Sequence, residues 1–140
     1  SISALGRESV SRQRIASGTR WESIAGYSRA VRVGRHVYVA GTTATAPDGS
    51  VVGVGSPYQQ TVYIIGIIER ALHSAGATLE DVVRTRIYVT DIRQWEEVAR
   101  AHGERFADIR PANTLIEVSA LVGADYLVEM EADALIGDGD

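Results

Sequence analysis

Two segments near the C-terminus, Arg110-Pro-Ala-Asn-Thr-Leu-Ile-Glu-Val118 and Leu127-Val-Glu-Met-Glu131, alternate apolar and polar residues. Side chains in a β-strand point alternately to its two faces, so this period predicts two short strands. In the first strand, the spacing places Asn113, Leu115 and Glu117 on one face. The connection between the strands is short, and we therefore expect them to belong to one sheet.

The second strand carries a row of carboxylates. Leu127, Glu129 and Glu131 share one face, and the apolar residues take the other, namely Val128, Met130 and Ala132. One hypothesis is a solvated outer face of an antiparallel sheet. The other is a ligand site built on rigid strands. The pattern alone leaves both open.

The composition excludes several classes of chemistry. The chain has 140 residues, enough for one domain, and a formal net charge of −4, which gives no electrostatic reason to expect nucleic acid as a partner. All fourteen basic residues are arginine, so a lysine Schiff base is excluded. No cysteine is present, which excludes a disulfide, a thiol nucleophile and a thiolate metal site. We find no signal-peptide pattern and no apolar run long enough for a bilayer, and expect a cytoplasmic protein without membrane contact.

The rest of the chain predicts a mixture of strands and helices. We expect a loose tail at 1–10, one domain at 11–136, and a flexible end at 137–140. Ser56-Pro57 begins a helix that ends near Gly76, and Asp91 caps a second helix that runs to about residue 106. Residues 21–27 are expected to form a loop. The predicted strands before the two C-terminal ones are 14–18, 30–33, 37–43, 51–54 and 84–90.

This order of elements predicts an α+β fold, with a mixed β-sheet in one layer and two amphipathic helices covering one of its faces. The other face would then be neither apolar enough for a dry core nor polar enough to stay bare, and a second subunit would resolve this conflict. The residues expected on that face are His36, Tyr38, Arg86, Tyr88, Asn113, Leu115, Glu117, Leu127 and Glu129.

Few residues are arranged for catalysis by type and spacing alone. The three histidines lie on different elements, so we predict no metal site. A glycine pair before the first long helix, Gly53 and Gly55, is weak evidence for phosphate binding. What remains is the carboxylate face, with Arg84 and Arg86 as its neighbours. If these arginines pair with Glu117 or Glu131 the arrangement is structural, and the alternative, substrate binding, stays open.

Several motifs occur in order between residues 27 and 134. Besides the two C-terminal segments, they are Gly26-Tyr27-Ser28, Val39-Ala-Gly41-Thr42, Ala75-Gly-Ala-Thr-Leu-Glu-Asp81-Val-Val and Tyr88-Val-Thr-Asp91. Together they resemble the YjgF/RidA family of enamine and imine deaminases. The resemblance implies a chorismate-mutase-like fold and a homotrimer with a ligand cleft between each two subunits. It also implies hydrolysis of reactive 2-imino acids to 2-keto acids and ammonia, without metal or organic cofactor.

The resemblance assigns roles to particular positions. Glu129 falls on the family's catalytic glutamate, which activates the attacking water, and Tyr27 and Gly41-Thr42 fall on cleft-lining positions. Asn113 stands where the family's deaminases have an arginine that binds the substrate carboxylate. Asparagine cannot form that charged pair, whose loss is worth roughly 10- to 100-fold in affinity or rate. The chain therefore resembles a divergent branch, in which Arg86 is a further candidate for substrate binding.

Three functional hypotheses follow. The first is a deaminase whose cleft takes an imine, enamine or related small molecule that lacks a simple carboxylate anchor. The second is a trimer of the same fold that binds a small molecule, in a regulatory role, without catalysis. The third, an endoribonuclease or translation inhibitor, has been attached to the family, and the acidic balance of the chain argues against it.

Overall fold

The computed structural model describes residues 11–137, so the tail predicted at 1–10 and most of the end predicted at 137–140 lie outside the described residues. Six strands form one sheet: β1 (Arg12–Ile15), β2 (Ala30–Val33), β3 (His36–Thr43), β4 (Val82–Val89), β5 (Ala112–Glu117) and β6 (Val128–Leu135). Three α-helices accompany it: α1 (Arg20–Ala25), α2 (Pro57–Ser74) and α3 (Trp95–Phe106). Short 3-10 helices at Leu79–Asp81 and Ile92–Gln94 precede β4 and α3.

The sheet is mixed, and its strand order is β1-β2-β3-β6-β4-β5. All neighbouring strands are antiparallel except β4 and β5, which are parallel. A parallel pair needs a crossover connection, and α3 supplies it. The two C-terminal segments are therefore not neighbours: β6 lies in the middle of the sheet, whereas β5 is an edge strand.

The two long helices cover one face of this sheet and enclose the core. Isoleucines of α2 and the pair Val98 and Phe106 of α3 pack against the inward residues of the three central strands. The inward residues of β6 are Val128, Met130 and Ala132, as the alternation predicts. The predicted two-layer α+β fold is thus confirmed. Within residues 11–137 no helix is long and apolar enough to cross a membrane.

The start of α2 follows from its first residues. The Ser56 hydroxyl accepts a hydrogen bond from the backbone N–H of Gln59 at 3.1 Å, and Pro57 occupies the first turn. Both features satisfy or remove backbone donors that the first helical turn cannot pair internally. Gly76, which follows the helix, has a φ of 85°, a left-handed conformation that glycine adopts without strain.

Truncation of a buried side chain of α2 should destabilise the protein strongly. Ile65 is fully buried, so Ile65→Ala is expected to lower the free energy of unfolding by about 2–5 kcal/mol, through lost apolar burial and the cavity that remains. Val62 lies on the same helix and is 42% exposed, and Val62→Ala should change stability by less than about 0.5 kcal/mol. Urea unfolding followed by circular dichroism measures both. Equal losses would contradict the described orientation of α2.

Two predicted local structures are wrong. Residues 21–27, expected as a loop, include most of the short helix α1, whose six residues are too few for their apolar spacing to identify a helix. Residues 51–54, expected as a strand, make only the single bridge between Val51 and Thr45. Gly53 and Gly55 both have positive φ, which bends the chain away before a strand can continue.

The face predicted for β5 is also wrong. Asn113, Leu115 and Glu117 lie on the helix side of the sheet, because the parallel register places them beside the buried residues of β4, which are Thr85, Ile87 and Val89. Leu115 packs against the core, as does Leu127. The edge strand has apolar residues on both faces, so its alternation does not show which face is inward.

Candidate functional site

A β-bulge in β3 is the local feature that builds the candidate site. The pairing of β3 with β6 shifts register between Val39 and Thr42, which leaves Ala40 and Gly41 in the bulge. The carboxylate of Glu129, on the neighbouring strand β6, occupies the space that a Cβ at Gly41 would need. An alanine Cβ at this position would also lie 3.2 Å from the Glu129 Cδ. Glycine at position 41 is therefore what allows the carboxylate to lie there.

A cavity of about 740 Å³ lies between α2, the segment from β1 to α1, and this bulge. Tyr27, Gly41, Thr42 and Glu129, which the sequence motifs single out as site residues, all line it. The walls add aromatic and aliphatic side chains, among them Ile15, Trp21, Tyr63, Ile67, Val122 and Tyr126. A volume of this size falls in the range of roughly 300–1,000 Å³ that is typical of small-molecule sites.

Arg29, which the sequence motifs do not single out, also lines the cavity. Its Nη1 donates to the Gly41 carbonyl at 3.1 Å and to the Thr42 hydroxyl at 2.7 Å. The Thr42 hydroxyl in turn donates to the Ala40 carbonyl at 2.8 Å. Arg29 therefore holds the bulge from within the cavity. In the sequence, the position of Arg29 two residues after the cleft-lining Tyr27 is what could have indicated this role.

The environment of Glu129 favours its protonated form. The side chain is half-buried, and this burial is the main reason that its pKa is raised. The negative charge of Glu131 raises the pKa further, whereas the positive charge of Arg29 acts in the opposite direction. A raised pKa makes this carboxylate a stronger base than an ordinary glutamate, which suits general acid-base catalysis.

Arg86, a predicted substrate-binding residue, lies on the outer face of the sheet and does not line this cavity. Its Nη1 forms salt bridges with Glu131 and Asp133, each at 3.2 Å. The Tyr88 hydroxyl donates to the same Glu131 oxygen as Arg86, at 3.1 Å. Of the two alternatives for Arg86, this arrangement favours the structural one. Glu131 and Asp133 also border a smaller cavity of about 440 Å³, which shares Tyr27 with the first.

Asn113 belongs to a different polar cluster. Its Nδ2 donates to the Thr85 hydroxyl at 3.0 Å, and that hydroxyl lies 2.9 Å from Nε2 of His102. The His102 ring stacks on Phe106 with 4.5 Å between ring centres, and burial lowers the pKa of this histidine. Asn113 thus faces the helices, whereas Glu129 faces the opposite side of the sheet. Within one chain the two residues do not share a site.

The remaining candidates have structural partners. The Glu117 carboxylate accepts a hydrogen bond from the backbone N–H of Ile92 at 3.0 Å and ties β5 to the start of the 3-10 helix that precedes α3. His36 stacks on Tyr38 at the exposed surface. Over the part of the chain that the structure describes, no three histidine, aspartate or glutamate side chains are grouped so that they could hold a metal ion.

Sequence comparisons agree with this architecture. A family model described as Endoribonuclease L-PSP matches residues 17–136. An uncharacterized protein of Streptomyces coelicolor is 39% identical over 128 residues, which cover 91% of this chain and 95% of that protein. A RutC family protein of Pyrococcus abyssi is 36% identical over 111 residues, which cover 79% of this chain and 87% of the relative.

The fold has close relatives among solved structures. The crystal structure of a member of the highly conserved YjgF/YER057c/UK114 family from Mycobacterium tuberculosis superimposes with a TM-score of 0.82 at 49% identity. The match covers 90% of this chain and 100% of that one. Motifs, family model and fold thus agree, and the chain belongs to the YjgF/RidA family.

Proposed function

We propose that this protein hydrolyses a reactive imine or enamine metabolite, with Glu129 as its catalytic residue and with a substrate specificity that differs from that of the family's 2-imino acid deaminases. The observation that carries the proposal is the half-buried Glu129 carboxylate, held against Gly41 in the lining of a cavity and with a raised pKa. Tyr27 and Thr42 line the same cavity and belong to the proposed binding site.

The residues can perform the reaction by moving two protons, one after the other, from water to the imine nitrogen. The Glu129 carboxylate takes a proton from water as the oxygen attacks the imine carbon, and the C=N bond becomes a C–N single bond. The protonated Glu129 then returns this proton to the nitrogen. Glu129 next takes the proton of the new hydroxyl group and gives it to the amine nitrogen, so that the C–N bond breaks and leaves a carbonyl compound and ammonia. An enamine enters the same path after it takes a proton on carbon and becomes an imine.

The test of the proposal is turnover by the wild-type protein. Imines are generated in the assay by an amino-acid oxidase, and their disappearance is compared with the spontaneous rate in the absence of the protein. We expect faster hydrolysis for at least one imine in a panel that includes bulky and aromatic side chains. A non-catalytic small-molecule binder would leave every rate at the spontaneous value while still binding ligands in the cavity.

A change of pH should reveal the titration of Glu129. General-base catalysis needs the carboxylate form, so kcat/KM should fall as the pH decreases through a pKa above the ordinary glutamate value of 4.5. Glu131→Gln removes a neighbouring negative charge, and the fall should then move to lower pH. A profile that falls at or below pH 4.5, or one that Glu131→Gln does not move, would contradict this role.

We also propose a homotrimer with inter-subunit clefts, as the family resemblance implies. The outer face of the sheet leaves large side chains open: Tyr38 is 49% exposed and Ile116 is 45% exposed. Asn113 can join Glu129 in one site only if it comes from a second copy of the chain. Sedimentation equilibrium should therefore give three times the 15.1 kDa chain mass. A stable monomer at micromolar concentration would contradict the trimer and the two-chain site.

A further inference from the structure

The guanidinium of Arg29 has donors that the protein does not use. Only Nη1 is bonded, to the Gly41 carbonyl and the Thr42 hydroxyl. Nε is buried and has no acceptor. Within residues 11–137 Arg29 forms no ion pair, and Nη2 has no hydrogen-bond partner. Nη2 is not among the buried donors, so an acceptor from outside the chain can reach it.

The place of Arg29 indicates what this acceptor belongs to. Arg29 lines the same cavity as Glu129, and the walls near them include the rings of Trp21, Tyr27 and Tyr63. The Nη1 contacts with the bulge fix the orientation of the guanidinium. Its Nη2 is left as the donor for a ligand, and a guanidinium N–H forms a strong charged hydrogen bond with a carboxylate oxygen. A rigid cation beside aromatic walls suits a ligand that has an anionic group and an apolar body.

We propose that Arg29 is the anion anchor of the site, and that the ligand is a monocarboxylate with a bulky apolar or aromatic body. A monoanion fits because the charged residues of the cavity lining are two arginines, Arg29 and Arg70, and one carboxylate, Glu129, which together leave one net positive charge. The inference rests on the proposed function in placing substrate in this cavity. It replaces the expectation, drawn from Asn113, that the substrate has no carboxylate anchor.

The test compares two probes that differ only in charge. Isothermal titration calorimetry measures the binding of 3-phenylpropanoate and of its neutral amide, 3-phenylpropanamide, to the wild-type protein. We expect the acid to bind about 10- to 100-fold more tightly, the usual gain from a charged hydrogen-bonded pair. Arg29→Gln should abolish this preference for the acid. The amide should bind both proteins with affinities within about threefold of each other.

Arg70 is the rival anchor, because it is exposed and its side chain also lines the cavity. Arg70→Gln removes one positive charge, as Arg29→Gln does. The acid preference is the ratio of the dissociation constants of the amide and the acid, and in Arg70→Gln the logarithm of this ratio should keep at least half of its wild-type value. Loss of the preference in Arg29→Gln supports the proposal. Its retention in Arg29→Gln, or its absence in the wild type, overturns the proposal.

A second measurement uses the wild-type protein, so that its result does not depend on whether the Arg29→Gln variant folds. The Nε–H signal of Arg29 in a ¹H–¹⁵N spectrum, identified by its absence from Arg29→Lys, should shift on titration with 3-phenylpropanoate and not with the amide. An unshifted signal at saturating acid would overturn the proposal. These experiments need no turnover: an acid preference without imine hydrolysis would refute only the deaminase, and hydrolysis without the preference would refute only the anchor.

Discussion

Replacement of Glu129 by glutamine is expected to lower the rate of imine hydrolysis by about 10²- to 10⁴-fold, the usual contribution of a general base. The amide has nearly the same shape as the carboxylate, so it should fit beside Gly41 without disturbing the bulge. It cannot accept a proton from water, and the attack on the imine carbon then has no base. Imine disappearance, corrected for the spontaneous rate, measures the loss.

Glu117→Gln is the matched control for this substitution. Glu117 is also a strand glutamate, but it lies on the opposite face of the sheet and bonds the backbone N–H of Ile92. The carbonyl oxygen of a glutamine can keep that bond, so the rate should stay within about twofold of the wild type. Wild-type turnover in Glu129→Gln, or an equal loss in both variants, would refute the assignment of Glu129.

The second large effect should come from Gly41→Ala. The backbone of Gly41 is not left-handed, so alanine meets no backbone strain there, and its Cβ clashes only with the flexible end of Glu129. We therefore expect the carboxylate to move while the fold remains. A displaced catalytic group can cost about 10²-fold in rate, so hydrolysis should fall by that order. The midpoint of thermal unfolding should change by only a few degrees.

Gly103→Ala provides the control for the glycine substitution. Gly103 lies in α3, and a Cβ there would meet no atom within 4 Å outside its own helix. Alanine should stabilise the helix by up to about 1 kcal/mol and leave hydrolysis unchanged. If Gly41→Ala keeps the wild-type rate, the contact between position 41 and the Glu129 carboxylate has no part in catalysis.

Most of the fold could be predicted because its elements have strong local signals. Ser56 and Pro57 mark the start of α2, and the alternation around Met130 marks the inward face of β6. The prediction fails where the apolar pattern of the sequence is too short, or where it is compatible with two different structures. The helix α1 has only six residues, too few for their apolar spacing to identify a helix. The edge strand β5 has Leu115 on one face and Ile116 on the other, and apolar residues alone do not orient it.

The candidate site was harder to predict, because its geometry depends on the bulge in β3. The family resemblance assigns site roles to Tyr27, Gly41, Thr42 and Glu129, and in the structure all four line one cavity. Arg29 was not predicted as a site residue because its hydrogen bonds to Gly41 and Thr42 form only when β2 pairs with β3. A register shift between strands leaves no mark in the residue pattern, so spacing alone could not show that Arg29 contacts the bulge.

The most direct measurement is a crystal structure of the Glu129→Gln variant soaked with 3-phenylpyruvate, the keto acid that hydrolysis of a phenylalanine-derived imine would release. We expect electron density in the cavity between α2 and the β3 bulge, with the keto carbon facing position 129 and the carboxylate on Nη2 of Arg29. Density on the outer face beside Arg86, or an empty cavity at saturating 3-phenylpyruvate, would contradict this expectation.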